Sequence, residues 1–134
     1  MRQVPYIILG NGRLATHLKR YLSLLNTAYI SWDRATYSED QLRDFNRQSP
    51  NATILIALND TATPYFIDAM AAMGYQRIIH FSATIQHPTA YSVHPLFSFT
   101  PNTMDLATYQ SIPMILDQSH MPLSTLLPQW SNPS

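Results

Sequence analysis

The sequence VPYIILGNGRLATHL, residues 4–18, decides the fold. Residues 4–9 form a short apolar run with β-branched and aromatic side chains, which is typical of a strand buried on both faces of a sheet. From Leu14 onward apolar residues recur at helical spacing, at Leu18, Leu22 and Leu25. The stretch therefore predicts a strand, a tight turn and a helix, and the turn holds two of the three glycines in the chain.

The turn carries the pattern G-x-G-x-x-[GA] at Gly10, Gly12 and Ala15. The first glycine permits the turn, the second lets the backbone approach a pyrophosphate, and the small third residue lets the helix pack against the strand. Free N–H groups at the start of the helix, together with its dipole, favour phosphate. A glycine turn that binds nothing is the alternative. The candidate phosphate contacts are Gly10, Asn11, Gly12, Arg13 and Leu14.

The end of the second predicted strand, residues 28–32, bears on the choice of dinucleotide. Asp33 and Arg34 follow it, about 20 positions beyond the glycines, where such folds place the residue that contacts the ribose. Asp33 could accept hydrogen bonds from the ribose hydroxyls of NAD, whereas Arg34 could pair with the 2′-phosphate of NADP. A solvated Asp–Arg pair is the alternative. We expect NADP as the cofactor, with NAD as the second choice.

The remaining pattern alternates strands and helices. Apolar runs predict strands at residues 52–58, 77–83 and 112–116 and a shorter strand or extended segment within 91–99; helices are predicted at 38–48, 63–73 and 106–110. This order predicts an α/β fold with a doubly wound, mostly parallel sheet in a single domain. Ligands bind such sheets at the carboxyl ends of the strands. That edge would hold Asn59, Asp60, Ser82 and His94.

The composition excludes several classes of function. The 134 residues have a formal net charge of zero and only 12% charged residues, so we expect no nucleic-acid partner. The chain has no cysteine, which excludes thiolate zinc sites and cysteine nucleophiles. No apolar run approaches the roughly 18–20 residues that span a bilayer, and the first residues lack the pattern of a signal peptide. We therefore expect no membrane partner and a cytoplasmic location.

Three histidines, His80, His87 and His94, are spaced by seven residues, which suggests a metal site. Prolines 88 and 95 and the strand-like runs argue against a helix that would put them on one face, and no carboxylate set accompanies them. We expect no metal. His94 is the better candidate for contacting a substrate or donating a proton, because imidazole titrates near neutrality. A histidine that only holds the loop in place is the alternative.

Taken together, the segments resemble a family of Rossmann-type NAD(P) oxidoreductases that is distantly similar to the NADP-binding domains of pyrroline-5-carboxylate reductase and 6-phosphogluconate dehydrogenase. Four stretches carry the resemblance: IILGNGRLATHL, WDR, ILIALNDTA and IIHFSATIQHPTAYSVHPLFSFT. The family's His-x-Ser-Gly-Ala pattern and later His-Pro-Leu segment match His80, Ser82, His94, Pro95, Leu96 and Phe99. Ala83 stands where the family has glycine.

The resemblance also bears on domain organisation. The family continues into a C-terminal helical domain that forms a dimer. The sequence predicts a dinucleotide-binding domain at residues 1–117 and an extended, proline-rich tail at 118–134, the root of such a further domain. A homodimer is the corresponding expectation.

Two functions follow from these patterns. The first is the NAD(P)-binding domain of an oxidoreductase that transfers hydride between nicotinamide and a small substrate with a C=O or C=N bond, with His94 and Ser82 as the candidate catalytic residues. Asn59 and Asp60 would line the nicotinamide end. The second is a non-catalytic nucleotide-binding or sensing module that lacks a complete active site.

Overall fold

A computed structural model describes residues 3–117 and 121–134. Its core is a six-stranded sheet with the strand order β2-β1-β3-β4-β5-β6. The first five strands in this order run parallel, and β6 is antiparallel to β5. The predicted α/β fold with a doubly wound, mostly parallel sheet is therefore confirmed.

The elements follow the predicted order along the chain. Strands and helices alternate through the first half, because apolar runs of four residues are separated by segments of helical periodicity. The strands are β1 (Tyr6–Leu9), β2 (Tyr29–Trp32), β3 (Thr53–Ile56), β4 (Arg77–His80), β5 (Tyr91–Pro95) and β6 (Met114–Leu116). The helices are α1 (Arg13–Leu24), α2 (Asp40–Gln48), α3 (Thr63–Ala72), α4 (Leu106–Ser111) and α5 (Leu123–Leu126).

Side chains of the central strands alternate between two buried faces. Ile8 of β1 lies in a cluster with residues of α1, α4 and α5, whereas Ile7 and Leu9 lie in a second cluster with residues of α2 and α3. Every residue of β1 and β3 is buried, as expected for strands that are covered by helices on both sides. Ala15 is fully buried in the first cluster, so its small side chain lets α1 pack close to the sheet.

The connection between β4 and β5 departs from the alternating pattern. These two strands are parallel neighbours, so the chain must return to the start of the sheet between them. Residues 81–90 make this return without a helix. Pro88 lies within this connection, and the ring of His87 beside it pairs with Asp68 on α3. A loop thus covers part of the sheet face beside α3.

The prediction for the C-terminal segment is wrong in one respect. Residues 123–126 form the helix α5, where the sequence predicts an extended tail. The segment also completes the core on the α1 side, because its apolar side chains are buried against the sheet. These side chains are Leu123, Leu126, Leu127 and Trp130. Residues 118–120 of the predicted tail lie outside the described residues.

Polar contacts fix the end of this segment. Asn132 is 7% exposed, and its amide nitrogen donates to the carbonyls of Tyr109 at 2.6 Å and Ile112 at 2.9 Å. Its amide oxygen accepts a hydrogen bond of 2.5 Å from the hydroxyl of Tyr21. The amide of Met114 in β6 donates to the carbonyl of Pro133 at 2.8 Å. The tail therefore joins α1, α4 and β6.

We expect Asn132→Ala to lower the free energy of unfolding by about 2–4 kcal/mol, because it leaves buried donors and acceptors without partners. Urea titration followed by tryptophan fluorescence measures this change. The control is Asn51→Ala, an exposed asparagine, for which we expect a change within about 0.5 kcal/mol. Equal effects of the two substitutions would show that the tail does not dock as described.

Candidate functional site

The strand order reverses at the centre of the sheet, and we call the region outside the carboxyl ends of β1 and β3 the crevice. The chain leaves β1 through α1 toward β2 on one side and leaves β3 through α3 toward β4 on the other, so the strand order reverses here. The carboxyl ends of strands at such a reversal form the usual ligand site of doubly wound sheets. The predicted glycine turn follows β1, and Asn59 and Asp60 follow β3.

Gly10 is required by the packing of the chain itself. Its φ angle is +130°, and a Cβ atom there would lie 2.3 Å from the carbonyl oxygen of Ala57. Its amide donates to the carbonyl of Trp32 at 2.8 Å. A side chain at this position would therefore collide with the backbone that follows β3.

At Gly12, by contrast, the packing of the chain does not require glycine. Its φ angle is −90°, which any residue adopts, and a Cβ atom there would meet nothing within 4 Å. It precedes the first residue of α1, and no side chain caps this helix terminus. The first amide groups of the helix, among them those of Arg13 and Leu14, thus have no partner within the helix.

A depression of about 370 Å³ lies beside this helix terminus. Its wall is formed by both the glycine turn and the segment after β5, with Asn11, Gly12, Arg13, Thr16, His17 and Pro101 as its lining. The ammonium of Lys19 donates to the side-chain oxygen of Asn11 at 3.5 Å, which adds a cation to the glycine turn. Lys19 was not predicted, although its helical spacing from the turn could have indicated it.

Asp33 and Arg34 lie at the end of β2, next to the glycine turn. One carboxylate oxygen of Asp33 accepts from the amide of Thr36 at 3.0 Å, which shapes the turn after the strand. Arg34 is exposed, and its guanidinium has no hydrogen bond or ion pair within the described part of the chain. Of the two, Arg34 is therefore the more available for a ligand.

The polar residues after β3 and β4 are connected by hydrogen bonds. The hydroxyl of Thr84 donates to a carboxylate oxygen of Asp60 at 3.3 Å, and it lies 3.2 Å from the hydroxyl of Ser82. The amide of Thr84 also donates to the Ser82 hydroxyl. Sequence reasoning missed Thr84, whose position two residues beyond Ser82 was the available signal. The amide oxygen of Asn59, by contrast, accepts from the amide of Ala62 at 2.8 Å and supports the start of α3.

His94 lies at the end of β5, close to the same edge. Its Nδ1 lies 3.0 Å from the carbonyl oxygen of Phe81, which can only accept, so Nδ1 carries a proton. In the neutral ring Nε2 is then the unprotonated nitrogen. The predicted catalytic pair therefore shares one edge of the sheet, with Ser82 linked to Asp60 through Thr84 and His94 linked to the residue before Ser82.

The segment after β5 is fastened to α1, which sequence reasoning did not foresee. The buried ring of His17 bonds to the Tyr109 hydroxyl through Nδ1 and to the carbonyl of Thr100 through Nε2, each at 2.7 Å. The guanidinium of Arg13 donates to the carbonyl of Phe99 at 3.3 Å. These contacts hold one wall of the depression in place beside the glycine turn.

The other histidines do not gather around a metal position. The ring of His87 pairs with Asp68 on α3 at 2.8 Å, and His94 is engaged with Phe81. Within residues 3–117 and 121–134, no three His, Cys, Asp or Glu side chains group closely enough to hold a metal ion. In the same residues no helix has the length and apolar character needed to cross a bilayer.

Comparisons with known proteins identify the fold. No protein-family model matches the sequence, and no curated protein matches it. The structure is similar to a crystal structure from Corynebacterium glutamicum ATCC 13032, of a protein provisionally assigned as a prephenate dehydrogenase, with a TM-score of 0.64 and 20% sequence identity. The match covers 96% of this chain and 51% of that one, so this chain spans about half the length of that protein. The likeness supports a Rossmann-type α/β fold.

Proposed function

We propose that this chain is the dinucleotide-binding domain of an oxidoreductase. The observation that carries the proposal is Gly12, because nothing in the fold requires glycine there and a capping side chain would stabilise the helix. Its effect is to keep the N-terminus of α1 bare at the crevice where doubly wound sheets bind ligands. A diphosphate is the group that such a terminus fits best.

Different residues at the crevice would bind different parts of a dinucleotide. The amides of Gly12, Arg13 and Leu14 would hold the pyrophosphate, and the Asn11 amide group lies beside them. Gly10 would contribute through the close approach of its backbone. Arg13 and Lys19 provide positive charge at this position, which lowers the energy of a bound diphosphate.

NADP is the cofactor that we propose, with NAD as the alternative. Arg34 supports NADP, because its guanidinium is exposed at the end of β2 and free of contacts with described residues. A guanidinium fits a 2′-phosphate through paired hydrogen bonds. Asp33 supports NAD, but one of its oxygens already accepts from Thr36.

The far end of the crevice would receive the substrate. Nicotinamide, when bound, supplies or accepts the hydride, and the chain's own residues would orient a C=O or C=N group beside it. His94 would hold or deliver a proton at Nε2, since its Nδ1 is bound to the Phe81 carbonyl. The Ser82 hydroxyl would orient the substrate, supported by Thr84 and Asp60.

A non-catalytic nucleotide-binding module is the second candidate. The crevice residues of this chain correspond to one half of the similar dehydrogenase structure, since the match covers 51% of that protein. This module would use the same glycine turn but would not turn over a substrate. A homodimer and a cytoplasmic location stay predictions under either function.

The first prediction for this function concerns Gly12→Asp. Aspartate is a good helix cap, so we expect the free energy of unfolding to stay equal or rise by up to about 1 kcal/mol. The added carboxylate repels a diphosphate, so we expect NADPH to bind at least about tenfold more weakly. Fluorescence titration and urea unfolding measure the two effects.

Two further variants act as controls for Gly12→Asp. Gly12→Asn has nearly the same shape without the charge and should lose less affinity for NADPH. Gly10→Ala should instead destabilise the fold by about 2–4 kcal/mol, because its Cβ collides with the Ala57 carbonyl. If Gly12→Asp bound NADPH as tightly as the unsubstituted protein, the diphosphate would not lie at this helix terminus.

The second prediction concerns the choice of cofactor. Arg34→Ala should weaken NADPH binding by about 10- to 100-fold, because a charge-assisted contact is lost, and change NADH binding less than about twofold. Titrations at low ionic strength measure both affinities. Arg43→Ala, which removes another exposed arginine, should leave both unchanged. Equal losses for the two cofactors would exclude contact between Arg34 and the 2′-phosphate.

The third prediction separates the enzyme from the module. With imine and keto-acid substrates we expect NADPH oxidation that His94→Gln slows by about 100-fold in kcat, while NADPH affinity changes less than about twofold. Absorbance of the reduced cofactor follows the reaction. Tight NADPH binding with no turnover of any substrate would favour the non-catalytic module.

A further inference from the structure

A cavity of about 680 Å³ lies on the α3 side of the sheet, beneath the loop 81–90. Its walls come from the end of α3, from β4, from this loop and from the start of β5. It exists because the connection between β4 and β5 has no helix to fill the space over the sheet. It shares no lining residue with the depression at the glycine turn, and its volume is in the range of small-molecule sites.

His80 presents a hydrogen-bond donor in the wall of this cavity. The residue is 1% exposed, and its Nδ1 accepts from the amide of Ser82 at 3.2 Å, so the ring proton of the neutral form is on Nε2. Nε2 has no hydrogen-bond partner among the described residues. A buried donor without a partner is costly, which indicates that a group from outside the chain meets it.

The charges around His80 restrict what that group can be. Burial lowers the pKa of His80, so the ring is neutral near neutral pH. The carboxylates of Asp117 and Asp60 act to raise this pKa and His87 acts to lower it, and Asp117 itself lines the cavity. The carbonyl of Ile85 also acts to raise this pKa, without meeting Nε2 in hydrogen-bonding geometry. A carboxylate in the wall disfavours an anionic ligand and leaves a neutral acceptor as the matching partner for Nε2–H of His80.

The cavity is held open by contacts on its rim. The ring of His87 bonds to Asp68 on α3, and the amide and hydroxyl of Thr89 lie 3.1 and 3.0 Å from its Nδ1. Ser92 in β5 donates through its hydroxyl to the carbonyl of Ser82 and through its amide to Asp117. These bonds attach the loop at both ends, so the cavity is formed before any ligand binds.

The walls favour a flat ligand. The ring of Tyr75, which is 4% exposed, and that of Tyr91 line the cavity together with Ile78 and Pro88. The Tyr75 hydroxyl is already bound to the carbonyl of Leu42, so this residue offers the cavity its ring. Aromatic and aliphatic walls with few convergent polar groups are typical of sites for ring-shaped molecules.

We propose that this cavity binds an uncharged, planar ring compound whose carbonyl or ring-nitrogen acceptor takes a hydrogen bond from Nε2–H of His80. The cavity shares no lining residue with the depression at the glycine turn, and it meets the proposed substrate end through the bonds of Ser82 to Nδ1 of His80 and to the Ser92 hydroxyl. It stands whether or not the chain binds NADPH, because no residue of the glycine turn contributes to it.

Benzamide and benzoate test the proposal as a matched pair of probes, since they have the same ring and differ in the charge of the acceptor. In the full chain labelled with ¹⁵N, histidine ring spectra should show His80 protonated at Nε2. Benzamide should shift this signal in a saturable manner with a Kd of about 1 mM. Benzoate should leave it unchanged at the same concentrations.

Two variants locate the binding. His80→Phe keeps the ring shape and removes the donor, so benzamide should bind about tenfold more weakly. Tyr65→Phe changes an exposed ring outside the cavity and should bind benzamide like the unsubstituted protein. The proposal fails if benzamide leaves the Nε2 signal unmoved, which would mean that only water occupies the cavity, or if benzoate binds equally well.

Discussion

The close passage of two backbone segments at the centre of the sheet determines the shape of the site. Gly10 lies so near the Ala57 carbonyl that no side chain fits between them, and its amide is bonded to Trp32 at the end of β2. The amide of Ala57 in turn donates to the carbonyl of Leu9. The end of β1 is therefore tied to both neighbouring strands, which fixes the direction in which the chain enters α1. The position of the exposed N-terminus of α1 therefore depends on the close approach of Gly10 to Ala57.

The crevice differs in charge between its two ends. Arg13, Lys19 and Arg34 lie around the glycine turn and the end of β2 with one carboxylate, Asp33, whereas Asp60 and two hydroxyl groups lie after β3 and β4. Because positive charge is concentrated where the helix dipole is also positive, the two effects add there. A ligand with phosphates at one end and a neutral ring at the other matches this arrangement.

The sequence was sufficient to predict most of the fold, because buried strands and amphipathic helices leave strong local patterns. The apolar runs ending at Leu9 and Trp32 and the glycine turn between them are of this kind. Features that depend on distant contacts could not be predicted. The short helix α5 is positioned by packing against the sheet. The cavity beneath the loop 81–90 exists because no helix connects β4 and β5, and no local sequence pattern predicts such a cavity.

The candidate site likewise contains residues that a local pattern predicts and residues that only the structure reveals. Gly10 and Gly12 were found together by their pattern, yet only the structure separates the glycine that the fold requires from the one that it does not. Thr84 and His17 were missed because their importance lies in partners that are far away in sequence or on another element. Unlike a buried strand or an amphipathic helix, a single hydroxyl or buried imidazole leaves no periodic pattern in the sequence.

The bond between Met114 and Pro133 has a consequence for association between chains. An edge strand usually offers its main chain as a template on which another chain can add a strand and begin to aggregate. At β6 this template is partly occupied, because the Met114 amide already donates a hydrogen bond to the carbonyl of Pro133 in the tail of the same chain. Intermolecular strand pairing at this point must first displace the tail, whereas at the opposite edge strand, β2, no described residue of the tail forms such a bond.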